Sequence, residues 1–284
     1  MKRSFAVAHL QMLALDPPTL IDTAARCGYD AVGLRLVPMT AEERRYPLTT
    51  DKALLRATKQ RLGATGLACS DIEVARLSPN IEPESYQAFL ETGAELGART
   101  VTAHLPDPDV SRAIDRFGRL CAMARPLGLH VAIEFLPWTE VPDVAAAARI
   151  CAAVGADNGG ILVDTLHLHR SNATIGELKR LPASWLRVLH IADCPPETPA
   201  SAEGLIHTAR RARLLPGEGA VDFDAVLAAM PADIPLTLEI PHDQRVAEMG
   251  LEAYSRHALA VARARLDGNN APAPVGSGHA PAGR

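Results

Sequence analysis

Four side chains in the second half of the sequence share one setting. Glu134, Asp164, His190 and Glu239 each stand near the C-terminal end of a short apolar run: His130 to Phe135, Gly159 to Asp164, Leu186 to Ile191 and Pro235 to Ile240. An unpaired carboxylate at such a point costs several kcal/mol to bury, so it needs a cation or strong donors. A lone strand-end Asp or His is ordinarily a buried polar group satisfied by backbone. Four of them at matching positions on consecutive runs point instead to a shared ligand. Three carboxylates and one imidazole make an oxygen-rich donor set that suits Mn²⁺ or Mg²⁺ and is open to Co²⁺ or Zn²⁺.

The elements that must position these groups can be read as an alternation. Strands are expected at 5–10, 31–36, 67–74 and 100–105, then at the four runs above, with the second of them continuing as strand from Gly159 to His169. Helices are expected between them, at 16–27, 51–64, 83–96, 111–127, 142–155, 174–181 and 222–230, with a last one over 246–266. Asp16-Pro17-Pro18 marks one helix start, and Gly28, Gly97, Gly128 and Gly155 mark stops. Eight strand–helix units of roughly 30 residues predict an α/β fold, a single-domain (β/α)8 TIM barrel over residues 1–266. In such a barrel the C-terminal strand ends gather the chemistry. An open doubly wound sheet is the competing architecture, and no G-x-G-x-x-G turn follows the first strand to support it. Residues 267–284, mixed Gly, Pro, Ala, Asn and Ser, are expected to be a disordered tail.

The chain of 284 residues is 48% hydrophobic and 22% charged, enough for a large core. A formal charge of −4 argues against a dedicated nucleic-acid binder. Five cysteines without a C-x-x-C pair suit a reducing cytoplasm better than a disulfide framework. Met1-Lys2-Arg3 with the apolar run after it superficially resembles an export signal, but His9 and Gln11 interrupt that run and no small-x-small site follows. No stretch approaches the roughly 18 apolar residues of a membrane span.

Several motifs together resemble the sugar phosphate isomerase/epimerase superfamily, the xylose isomerase-like barrels. They are Ile133-Glu134, Val163-Asp164-Thr165-Leu166-His167, His190-Ile191-Ala192-Asp193, Leu215-Pro216-Gly217-Glu218-Gly219 with Val221-Asp222, and Leu238-Glu239. The first half of the chain matches only in its strand–helix rhythm. The resemblance implies one divalent ion held by Glu134, Asp164, His190 and Glu239, with the two glutamates doubling as acid–base catalysts. The implied reaction is isomerisation or epimerisation of a small sugar or polyol ketone by proton transfer through a metal-stabilised enediolate. His167, Glu140 and Arg213 match substrate-contacting positions, and Asp193 a supporting position beside the substrate. Relatives of this kind are often dimers or tetramers.

The chain also departs from that pattern. Many relatives carry a glutamate on strand two where this chain has Gly33, and Arg35 lies two residues on, facing the same way. An inward arginine suits a carboxylate or phosphate, so Arg35 raises the prospect of an anionic substrate. His104, at the end of strand four, is a further substrate-binding candidate, with His9 and Arg170 at the same rim. The insertion between Asp193 and Arg213 reads as a lid. These features favour, as the alternative, a metal-dependent dehydratase of a cyclic keto acid, like the 3-dehydroshikimate dehydratases. Apurinic/apyrimidinic endonuclease chemistry fits poorly: Cys69-Ser70-Asp71 stands where a histidine is wanted, and no Asp-x-His follows His190. A sugar-binding barrel without activity is disfavoured by the complete ligand set.

Overall fold

The computed structural model of the chain describes residues 3–267. Eight strands, all paired in parallel, close on themselves in sequence order: β1 (Phe5–Val7), β2 (Ala31–Arg35), β3 (Ala68–Arg76), β4 (Thr100–His104), β5 (His130–Glu134), β6 (Gly159–Asp164), β7 (Leu186–Ile191) and β8 (Leu236–Leu238). The helices that follow the first five strands are α1 (Pro17–Cys27), α2 (Lys52–Thr65), α3 (Gln87–Glu95), α4 (Val110–Ala124) and α5 (Val144–Val154). Two helices follow each of the last three: α6 (Thr165–Arg170) and α7 (Ile175–Lys179), α8 (Ala202–Arg211) and α9 (Phe223–Ala229), α10 (Asp243–Met249) and α11 (Leu251–Leu266). This is the TIM barrel that the alternation predicts.

Local chemistry explains the boundaries. Asp16, Asp51, Asp109, Asp143 and Asp222 each cap a helix by accepting backbone N–H groups of the first turn, worth about 1 kcal/mol apiece. The main apolar core lies between strands and helices, while the barrel interior holds a separate apolar cluster of only Ala132, Leu162 and Val188. Most of the space inside the staves is thus left to small or polar side chains, and that is what lets a buried charged site form there.

Three expectations change in detail. Strand one is shorter than 5–10 because the chain turns into a 3-10 helix at His9–Met12, where Gln11 accepts the Ile240 N–H through its side-chain oxygen. Residues 165–169 are not strand. Asp164 stops the strand and caps α6, accepting the N–H groups of Leu166 and His167. The final helix is broken at Gly250, whose φ of +81° suits glycine. The tail expected at 267–284 lies, beyond Asp267, outside the described residues.

Candidate metal centre and active site

Glu134, Asp164, His190 and Glu239 do converge. Each offers a ligand atom within 4.8 Å of the others, and all four are buried. Their strands β5 to β8 are neighbours in the barrel, and Asp164 is paired in register with His190. The fit to a dication can be checked by charge. Arg213, itself buried, donates to Asp164 Oδ2 at 2.6 Å and pairs with Glu239 Oε2 at 2.7 Å. Three carboxylates against one guanidinium leave two negative charges, a deficit that a divalent ion would fill.

His190 registers the same deficit. Burial pulls its ring down, yet Glu239, Glu134 and Asp71 outweigh burial and lift it to about 10. Among the described residues neither ring nitrogen has a hydrogen-bond partner; Glu239 Oε2 lies 3.5 Å from Nδ1, too poorly placed to serve as one. An orphaned imidazole amid carboxylates could serve as a ligand to a cation. Burial likewise opposes ionisation of Glu134 and Glu239. The His104 hydrogen bond overrides it at Glu134, holding the carboxyl at about 2, and Arg213 with His190 overrides it at Glu239.

His104 reaches Glu134 Oε2 from β4 at 2.6 Å. His167 Nε2 stands 3.8 Å from Glu134 Oε1, and its ring is packed edge-on by Trp138 with centroids 5.2 Å apart. Burial and Arg213 hold the His167 ring below its ordinary value, so it is neutral, and among the described residues its Nδ1 has no partner. Both histidines, with Arg213, therefore stand within the carboxylate cluster.

The structure gives Asp193 and Arg35 partners within the protein and separates Glu140 from the centre. Asp193 is fully buried and its two oxygens accept the N–H groups of Cys194, Gly217, Gly219 and Val221. It organises the Pro-Gly-Glu-Gly loop and has no oxygen to spare for substrate. Arg35 does point inward, but its guanidinium is met by Glu73 at 2.8 Å and Glu43 at 3.4 Å. Its charge is spent inside the protein, which removes the reason to expect an anionic substrate. Glu140 stays exposed on the loop between β5 and α5, and no hydrogen bond among the described residues ties it to the centre. His9 is a buried, neutral strut: Nδ1 accepts the Arg35 N–H at 3.0 Å and Nε2 meets the Leu15 carbonyl at 3.0 Å. Arg170 is pinned to the Glu197 carbonyl. The segment read as a lid contains α8, which walls a cavity of about 660 Å³ at the C-terminal mouth, opposite Leu10–Ala14 and Glu42–Arg44.

Sequence reasoning missed Asp71 and Glu73. Both lie on β3, are fully buried, and bring ligand atoms within 4.8 Å of His190, which reaches toward them from the stave opposite. Burial raises Asp71 and lifts Glu73 to about 7 against the pull of Arg35. The space beyond Gly33, where a glutamate was the family expectation, is filled by the Asp71 carboxylate, 2.8 Å from where a Cβ would stand. The signal was available: Asp71 and Glu73 alternate with Ile72 and Val74, so both carboxylates share one strand face.

Residues 21–265 match a protein-family model described as the xylose isomerase-like TIM barrel. The chain belongs to that family. An inosose isomerase of Bacillus velezensis is 29% identical to this xylose isomerase-like barrel over 155 residues, 51% of this chain and 53% of that protein. The chain thus spans about half the length of the curated relatives it matches. Among solved structures, an IOLI protein with a bound zinc atom superposes with a TM-score of 0.72 at 20% identity, covering 93% of this chain and 99% of that one. A D-psicose 3-epimerase in the presence of D-fructose gives 0.71 at 16% identity, covering 94% and 100%. Identities this low speak to the fold that the xylose isomerase-like barrel shares with them.

Proposed function

We propose that this chain is a divalent-metal-dependent isomerase or epimerase of a small, neutral polyol ketone, moving a proton at the carbon beside the carbonyl. The observation that carries this reading is the convergence of Glu134, Asp164, His190 and Glu239 with two negative charges left after Arg213 is counted. The donor set favours Mn²⁺ or Mg²⁺, and the zinc of the IOLI protein adds Zn²⁺ to the ions worth testing. When bound, such an ion polarises a substrate carbonyl and eases loss of the neighbouring proton.

The protein's own groups supply the rest. Glu134 and Glu239 are ionised and so able to accept a proton; one takes it from the substrate carbon and the other returns one. His104 fixes Glu134 through Oε2, and Arg213 fixes Glu239 through Oε2. His167, neutral and with Nε2 3.8 Å from Glu134 Oε1, would hold a substrate oxygen. The inosose isomerase relatives make a cyclic polyol ketone the first substrate to try. A keto-acid dehydratase would begin with the same proton removal, but the cation that favoured it, Arg35, is already paired with Glu73 and Glu43. The five cysteines, all buried and unbridged, fit a reducing cytoplasm, and no described helix is long and apolar enough to cross a membrane.

Proton exchange tests this directly. In D₂O with Mn²⁺, Mg²⁺, Co²⁺ or Zn²⁺, 2-keto-myo-inositol should gain deuterium beside its carbonyl and accumulate an isomer, followed by NMR. Glu134→Gln and Glu239→Gln should each slow the exchange by about 10²–10⁴-fold with an unchanged circular dichroism spectrum. Wild-type exchange in either variant refutes its role, and a conjugated, ultraviolet-absorbing product would move the chain to the lyases.

A further inference from the structure

The opposite end of the barrel carries its own cavity, about 670 Å³ in volume, among the N-terminal ends of the strands. That lies within the range of small-molecule sites and exceeds what a bare inorganic anion needs. Arg3 ahead of β1, Arg99 ahead of β4 and Arg187 in β7 stand around it, with His130 at the start of β5. Among the described residues none of these arginines has an ion-pair partner. Arg187 has only the Asp157 carbonyl, at 3.0 Å. Asp233 is the one carboxylate among the described lining residues, so three guanidinium groups against it leave two positive charges.

Polar atoms lining the cavity are also unsatisfied. Among the described residues, the fully buried Thr237 has no partner for its Oγ1, and neither His130 Nδ1 nor Arg187 Nε has one. Burial and then the Arg187 guanidinium hold the His130 ring below its ordinary value, and burial alone holds Arg187 below its own. Arg99 is exposed and Arg3 and Arg187 are partly buried at this mouth, whereas the fully buried Arg35 and Arg213 are matched to carboxylates. A buried donor without a partner costs about as much as a lost hydrogen bond, which makes it a mark of an absent ligand.

We infer that this N-terminal mouth is a binding site for a phosphorylated polyol or sugar, separate from the ion centre at the other end. The dianionic phosphate would lie among Arg3, Arg99 and Arg187, whose planar donors suit its oxygens. Thr100 and Thr237 would take hydroxyl groups, and Val188 would line the carbon skeleton. The charge selects a dianion, and the remaining volume with its hydroxyl donors selects a polyol attached to it.

Calorimetric titration of the ion-loaded protein tests the site without reference to turnover, so its outcome is independent of the isomerase reading. D-glucose 6-phosphate and glycerol 3-phosphate are the probes, with D-glucose and inorganic phosphate as controls. At least one phosphorylated probe should bind saturably at one per chain, phosphate should compete weakly, and glucose should not bind. The Arg99→Ala/Arg187→Ala double variant should lose about a hundredfold in affinity, tenfold for each charged contact, with its metal content and unliganded melting temperature unchanged. The Arg99→Lys/Arg187→Lys variant should recover part of the loss, which a merely misfolded double variant would not allow. Absence of saturable binding by both probes overturns the site. So does affinity that survives removal of both arginines, which would seat the ligand elsewhere.

Discussion

Arg210, Arg211 and Arg213 lie within four residues of one another, and their fates differ completely. Arg211 pairs with Asp243 in solvent, Arg210 reaches Glu43, and Arg213 is buried between Asp164 and Glu239. An exposed pair such as the first contributes little, whereas the last sets the charge of the whole centre. His190 carries the consequence. With its ring lifted to about 10, the ion-free side chain is protonated at neutral pH and cannot ligate. Metal binding must therefore release a proton. Between about pH 7 and 9 the apparent affinity should rise roughly tenfold per pH unit, with about one proton released per ion. Titration calorimetry in two buffers of different ionisation enthalpy measures that number directly. A value of zero would mean that His190 is not displaced from its proton and is no ligand.

The loop between α8 and α9 shows how much one element depends on a single carboxylate. Four N–H groups of the stretch 194–221 end on Asp193, and a Cβ on Gly219 would run into the Cys194 carbonyl and stand 2.5 Å from Asp193 Oδ1. Gly219→Ala should cost about 2–4 kcal/mol, and should loosen Arg213, which stands at the start of this loop. Denaturant unfolding reads the first effect and metal affinity the second. A variant as stable as wild type, with the same affinity, would show that the loop yields without disturbing the centre. The β3 strand is the complementary case. Its carboxylates displace bulk from β2, so Gly33 and Asp71 are one feature divided between two staves.

On the scale of the whole barrel, like charges gathered inside a closed sheet are tolerated only while cations answer them. In the ion-free chain the raised His190 contributes stability that is fully present below its unfolded value near 6.5 and fades as pH climbs through about 10. A bound ion takes over that role at high pH. At a thousandfold excess over Kd the ion should add about 4 kcal/mol, a rise in Tm on the order of ten degrees for a chain of this size. The gap between stripped and loaded protein should widen from pH 7 to 9. Scanning calorimetry with and without a chelator checks it, and equal melting temperatures would leave the centre without a resident ion.

The sequence alone determined the strand–helix rhythm, the capped helix starts and the four strand-end positions of Glu134, Asp164, His190 and Glu239, because each is local. Caps act within three residues, hydrophobic period within one element, and a polar group at the end of an apolar run is visible without knowing its neighbours. Tertiary structure decided what each charge faces. That Arg35 is neutralised by Glu73 and Glu43, that Arg213 enters the centre, that Asp193 serves a loop and that Asp71 fills the space beside Gly33 all depend on side chains 8 to 49 residues apart. Coulomb and desolvation energies depend on distance through the folded interior, not along the chain. No reading of one strand at a time contains that distance.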